Sequence, residues 1–415
     1  MLKTIFILSI FLHSLTSLNL QSKDLCYDYR LLDGSEELYS YGMDTTNHWW
    51  AITKPFHNKY RLIVDGESLD MVNYVKPPVF SHNSQSWAAF AEDNLGLMII
   101  TKDSIISLNA NDFGEILYST ISNNLIYSYF EGNNEVIVNN DKEVYVYNRY
   151  GKILVSPDGQ KIAFMGRRGS KFIVNYNGYE SSAYDNILPI GFMNDGNFYY
   201  AAENAGNWYI YKNEETFSEL YYSIDNIHIN REGTVISYTA VLSSGMMVAI
   251  MISDKFKDSY WESKRFDGIH SLTLHPYLPL IAFNAEYRTA KFIMFNNSKF
   301  FGGEYNSKPK FSHDGEDLLF FGCNISCFAN LNGHKYPLKH SLNLNYNYAF
   351  KPGSKSFAYS TNSNMVVLFI ESNMMHAGRM LDRLIAPRYN WRDKQYETLG
   401  EVNNRLYLLT CRMDD

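Results

Sequence analysis

What most constrains this chain is a unit that repeats at a nearly fixed interval and is apolar on both faces. Leu154 to Gly178, LVSPDGQKIAFMGRRGSKFIVNYNG, shows it most clearly. Leu154 and Val155 favour a strand. Ser156-Pro157-Asp158-Gly159 follows as a turn, because proline presets φ at the second position and glycine accepts positive φ at the fourth. Ile162 to Met165 is wholly apolar, Arg168-Gly169-Ser170 makes a hairpin turn, and Phe172 to Tyr176 returns. A strand apolar on both faces has to be covered on both, so a lone sheet in water is excluded and the copies must stack on each other.

Aligned on Ala163, the copies fall at Ala51, Ala89, Ile126, Ala163, Tyr200, Ser237, Ala282, Leu319, Ala358 and Tyr407, spaced 38, 37, 37, 37, 37, 45, 37, 39 and 49 residues apart. The turn recurs as Asp158-Gly159, Asp195-Gly196, Glu232-Gly233 and Asp314-Gly315, and degrades to Asn83-Ser84 and Pro352-Gly353. A period of ~40 residues with four strands per unit is the signature of a β-propeller blade. Each unit buries its faces only against its neighbours, so the ring is the folding unit. The expected fold class is all-β, a β-propeller of eight to ten four-stranded antiparallel blades. Ten units exceed the usual ~4–8 blades. Three arrangements stay open: one large ring, two rings split near the 45-residue gap, or one unit that is not a blade.

FSHDGEDLLFFG at Phe311 to Gly322 and LVSPDGQKIAFMG at Leu154 to Gly166 resemble the WD-like repeats of TolB-like bacterial propellers. IVNYNGYESSAYDNI at Ile173 to Ile187 and RLIVDGESLDMVNY at Arg61 to Tyr74 resemble the third and fourth strands of the same units. The resemblance covers nearly all of the chain after its leader. It implies architecture and an extracytoplasmic binding role, and it carries over no catalytic residue. The Trp-Asp dipeptide of true WD repeats is absent, and no Trp completes a sialidase-type Asp box.

Residues 1–17 read as a secretory signal peptide: a basic start at Lys3, an apolar run from Ile5 to Leu12, and small residues Ser14, Thr16 and Ser17. Cleavage is expected between 17 and 23. The run is too short to span a membrane as a mature helix, and no later segment is long enough. Residues 24–415 are expected to form one domain in the periplasm or outside the cell, with a closing blade built from 24–34 and 395–413.

The formal net charge of −7 argues against nucleic acid, which needs a basic footprint. Tyrosine supplies 33 residues, suited to strand positions where the ring packs and the hydroxyl stays wet. Asn123-Asn124, Asn133-Asn134 and Asn139-Asn140 suit turns that visit positive φ.

No hydrolase elbow, zinc helix, P-loop, dinucleotide fingerprint or calcium loop is present, so no catalytic residue, cofactor or metal is assigned. His82 and His313 share one turn position, and Asp158, Asp195, Glu232 and Asp314 share another, which points to turn chemistry. The first strands read PVFS, KILVS, IHIN and LTLH; apart from His228 and His275 they are apolar or hydroxylic, which favours binding over catalysis. Two stretches break the repeat. Ser253 to Gly268 is the longest irregular stretch, a surface loop or ligand contact centred on Trp261. Arg379 to Ile385 falls where a fourth strand belongs, and the loop Pro387 to Lys394 then interleaves Arg388, Arg392 and Lys394 with Tyr389 and Trp391. Such interleaving suits stacking on a partner or glycan. The expected contact residues are therefore Arg388, Tyr389, Trp391, Arg392 and Trp261. A protein partner is expected first, a glycan second, and the protein itself is expected to be a monomer. The alternative is a hydrolase of glycans or lactones with its site in the central channel.

The four cysteines pair by phase. Cys323 ends a second strand and Cys327 begins a third, so a hairpin bridge is expected. Cys411 lies four residues past Tyr407, as Cys323 lies four past Leu319, so it should end a second strand that lacks a third. Leu25 to Leu32 can supply that third strand, which predicts a Cys26–Cys411 bridge closing a single ring.

Overall fold

The computed structural model describes residues 26–412, except for 45–47, 141, 147–148, 254–259, 313, 339–347, 352–355, 362–365, 371–372, 378–380 and 391. Residues 1–17, expected to be a leader, lie outside the described residues. No helix occurs among them. Nine antiparallel sheets are each built from one continuous stretch: 37–68 (blade 1), 74–107, 112–146, 149–180, 186–216, 223–262, 268–301, 305–337 and 348–377 (blade 9). A tenth sheet closes the β-propeller with strands from both ends of the chain.

Blade 4 shows why these residues form a blade. Its strands are Arg149–Val155, Ile162–Arg168, Lys171–Tyr176 and Tyr179–Glu180, paired in that order. Ala163 and Met165 bury one face of the second strand against blade 5, and Ile162 and Phe164 pack the other towards blade 3. The first turn is closed by side chains as expected. Ser156 Oγ donates to Asp158 Oδ1 at 2.5 Å, and Asp158 Oδ1 accepts from the Gln160 amide at 3.0 Å. Asp195 and Asp314 accept in the same way from Asn197 and Glu316.

A second repeated device was not visible in the apolar pattern. The residue after the third strand adopts positive φ in six blades: Asp65, Asn140, Asn177, Asn213, Asn296 and Asn332. In blades 1, 4, 5, 7 and 8 its amide donates back to the start of the second strand, as from Asn213 to Phe198. In blades 1, 5, 7 and 8 its side-chain oxygen also accepts from that strand, at 2.8–3.0 Å. Asparagine fits because its short amide tolerates the left-handed region and bonds locally.

The core lies between blades. Tyr199, Ala201, Trp208 and Ile210 of blade 5 meet Ile236, Tyr238, Val248 and Ile250 of blade 6. Several tyrosines go deeper than the composition suggested. Tyr200 and Tyr238 are 1% and 0% exposed, and their hydroxyls pair with those of Tyr184 and Tyr221 at 3.4 Å.

The closing sheet corrects the phase of the last repeat. Its order is Cys26–Arg30, Arg405–Arg412, Gln395–Val402, then the innermost strand made of Arg383–Leu384 and Arg388–Asn390. Cys411 therefore lies on a third strand, and the N-terminal segment is the fourth. Arg383–Leu384 is not a fourth strand, and Arg388–Asn390 is not a loop. The fourth strand of blade 9 is Asn373–Ala377. Glu397, opposite Arg388, occupies the position assigned from the sequence to Tyr407, which brings the last spacing close to the others. The pairing of the ends stands: Cys26 faces Cys411 with Cα atoms 4.1 Å apart, and Cys323 faces Cys327 at 4.0 Å, both pairs bonded through sulfur. Ser253 to Gly268 is less irregular than its composition implied, because Tyr260–Glu262 is the fourth strand of blade 6.

Candidate functional site

The first strands of neighbouring blades pack against one another, which places them innermost. Nearly every one is broken midway. Register shifts interrupt it between Phe113 and Ile116, Tyr150 and Leu154, Asp225 and His228, and His270 and Thr273. In blades 2, 8 and 10 a proline segment splits the strand in two. A bulge frees a residue from the ladder and re-aims its side chain. The freed stretches carry Lys76, Glu115, Lys152 and Lys308. The inner surface is thus more basic than PVFS, IHIN and LTLH suggested, because those windows lie at or beyond the break, whereas KILVS already contains Lys152, which the bulge frees.

Glu115, on a freed stretch, is held in an internal ion-pair network. Arg149 Nε and Nη2 grip both oxygens of Glu135 at 2.5 and 2.7 Å, and its Nη1 reaches Glu115 Oε1 at 3.3 Å. Ser128 Oγ donates to Glu135 at 2.6 Å and accepts from the Glu115 amide at 3.0 Å. Gly114 is required here, since a Cβ would run into Ser128 Oγ. In the closing sheet, buried Glu397 accepts from Asn390 and Gln395 at 2.7 and 2.6 Å and pairs with Arg388 at 3.3 Å. Desolvation is the main influence on the Arg388 guanidinium and lowers its pKa, although Glu397 opposes the shift.

The lysines of blade 8 sit differently. Lys310 Nζ donates to the Tyr348 carbonyl at 2.8 Å and lies 4.2 Å from its ring centroid. Burial alone lowers its pKa to about 8. Burial also lowers the pKa of Lys308. That of His228, two blades away, is lowered by burial first and by the Lys308 charge second. His275 is structural. Its Nδ1 accepts from the Tyr277 and Leu278 amides at 3.1 and 2.9 Å, so Nε2 carries the proton given to the Ser312 carbonyl at 3.0 Å.

One contact crosses the ring. Arg231, on the inner turn of blade 6, reaches His82 Nδ1 of blade 2 at 3.4 Å and Tyr277 Oη at 3.1 Å. Burial and then the Arg231 charge lower the His82 pKa. A cavity of about 360 Å³ opens beside them, lined by Asp44, Trp50, Phe80, His82 and Arg231 among others. His313 lies outside the described residues.

The residues expected to contact a partner do not form one patch. Arg388 is committed to Glu397, and Tyr389 packs edge-on against Tyr396 at 5.1 Å, so both are part of the closing sheet. Arg392 is exposed on the turn that follows, its amide donating to Asn390 at 3.0 Å. Trp391 lies outside the described residues. Trp261 sits in another blade, on a strand opposite Met251 and packed on a core cluster. Among the described residues no three His, Cys, Asp or Glu side chains are grouped to hold a metal.

No protein-family model and no characterised protein matches the sequence. Solved structures match by shape. The Dos1 propeller aligns over 92% of this chain and 94% of its own, at 10% identity and a TM-score of 0.39. A prolyl endopeptidase aligns over 82% of this chain and 56% of its own, at 9% identity and 0.36. An oligogalacturonate lyase in complex with manganese aligns over 69% of this chain and 93% of its own, at 12% identity and 0.34. At such identities these are likenesses of fold alone.

Proposed function

We propose that this chain is an exported, non-catalytic propeller of the TolB-like kind, whose inner surface receives an acidic segment of a protein partner in the periplasm or cell envelope. The observation that carries the reading is the asymmetry of the inner strands. Among the described residues, the stretches freed from the ladder carry Lys76, Lys152 and Lys308, whereas their one carboxylate, Glu115, is engaged by Arg149. A partner carboxylate would meet these lysines, and complementary charge sets partner choice and encounter rate. The two cysteine pairs suit an oxidising compartment.

Capture from envelope extract with the mature chain, compared with a Lys152→Glu/Lys308→Glu double variant, tests this. A partner that binds the parent, weakens with salt and is lost by the variant is the expected result. A partner equally retained by the variant would remove the reading. The second reading, a channel hydrolase of glycans or lactones, is favoured by one feature: a buried amine of lowered pKa at Lys310. Turnover of such a substrate that Lys310→Met abolishes, without unfolding the protein, would establish it instead.

A further inference from the structure

Blades 3 and 4 do not close against each other as other blades do. The residue that ends the third strand faces the next blade, one residue into the second strand's register. It is Val64, Tyr176, Phe295 or Leu331 in blades 1, 4, 7 and 8. Tyr176 stacks on Phe198 of blade 5 at 5.6 Å, and Phe295 packs on Phe311 of blade 8 at 5.5 Å. Blades 2, 3 and 5 carry polar residues there, Thr101, Asn139 and Lys212. Of these three only Asn139 is buried, at 8% exposure, and its Oδ1 has no hydrogen-bond partner.

Beside Asn139, where the ring would stand, lies a cavity of about 370 Å³. Gln160, Asn175 and Asn177 complete a set of amides around it, over an apolar floor of Ile162 and Phe164. Asn140 is already spent, donating to the Gly159 carbonyl at 3.1 Å and accepting from Asn124 at 2.8 Å. Lys142 is the one charged residue of the lining among the described residues. A second, more open cavity of about 440 Å³ adjoins it across the turn of blade 4, where Tyr179 stands 66% exposed.

We propose that this wedge is a saccharide-binding site, distinct from the inner surface and independent of what binds there. Each amide offers both donor and acceptor, as each sugar hydroxyl does, so the match is to a neutral, hydroxyl-rich ligand rather than an anion. The apolar floor meets the C–H face of the sugar ring, and a few convergent polar groups over an apolar surface are the usual composition of a small-molecule site. An orphaned buried amide oxygen is costly and calls for a partner, which a sugar hydroxyl provides. Tyr179 offers its ring to the next unit of an oligosaccharide.

The test uses the full mature chain and a panel of neutral mono- and oligosaccharides, read by saturation-transfer NMR and calorimetry. At least one sugar binds the parent. Asn139→Leu fills the wedge, raises Tm and abolishes binding. Asn175→Ala, at the edge of the cavity, keeps the parental Tm and weakens binding by about tenfold or more. Tyr179→Ala weakens binding of the oligosaccharide and not of its single unit. Lys152→Glu/Lys308→Glu binds sugar as the parent does. If no panel member binds, while Asn139→Leu still raises Tm, the cavity holds water only and the proposal fails. Binding that survives both Asn139→Leu and Asn175→Ala overturns it as well.

Discussion

The junction of blades 4 and 5 and the closing sheet solve one problem, holding a blade in the ring, by opposite means. At the first, Tyr176, Phe192, Phe198, Tyr200 and Tyr211 interlock with Ala163 and Val174, and the contact is almost wholly apolar. At the second, the buried second strand carries Gln395, Glu397, Thr398 and Glu401, each 2–8% exposed, held by Arg388, Asn390 and Arg383 and by the Cys26–Cys411 bond. A blade made from one stretch finds its register locally, and non-directional burial is enough to stabilise it. A blade joining residues 385 positions apart has no short turn to set its register. Directional bonds specify it there, the use for which buried polar groups are best attested.

That contrast is open to direct attack. Replacing Cys26 and Cys411 by serine should have the largest effect, lowering stability by up to about 5 kcal/mol because the bond closes so long a loop. The same change at Cys323 and Cys327, only 4 positions apart, should cost about 2 kcal/mol. Urea unfolding of both double variants measures the difference, and equal losses would mean that closure is not what the long bond secures. Phe198→Ala should cost about 3–5 kcal/mol through the cavity it leaves at the apolar junction. Arg388→Ala should cost about 3 kcal/mol by stranding the Glu397 carboxylate, and Arg388→Met with Glu397→Leu should regain most of it. No recovery in the double variant would show that the pair stabilises rather than specifies.

The smallest effect concerns pH. Folded Lys310 loses its proton near pH 8, whereas the unfolded chain holds it to about 10.5. The unfolded state therefore binds more protons across that window, so this group makes stability rise with pH from 8 to 10.5. Lys310→Met should remove that part of the slope in denaturation curves taken across the range.

The repeat was legible because Ile162 to Met165 and its copies are apolar on both faces, a pattern that only stacking satisfies. Its last copy was misplaced for a physical reason. Gln395-Tyr396-Glu397-Thr398 is a buried strand written in polar residues, since its charge is cancelled by Arg388 from another strand, and nothing local announces that. The cysteines still found the correct partners, because the alternation within the terminal strands was right even where their rank in the sheet was not. Lys76 and Lys308 escaped notice because they lie in proline breaks outside the windows read as first strands, and Lys152 was in view without its bulge, which is a property of paired strands. Asn139 looked like one more turn asparagine; that it replaces a filling side chain appears only when the neighbouring blade is in place.

The fourth strand of the closing sheet comes from the start of the chain, which bears on how such a molecule is made. The segment around Cys26 leaves the ribosome long before residues 395–412, and it waits as an unpaired edge while nine blades are synthesised. Contacts this distant in sequence form late and slowly. Joining the natural ends and cutting the connector after residue 30 would put all strands of that sheet in chain order. Such a circular permutant should refold faster than the natural chain, with no need for the long covalent bond to hold its ends together.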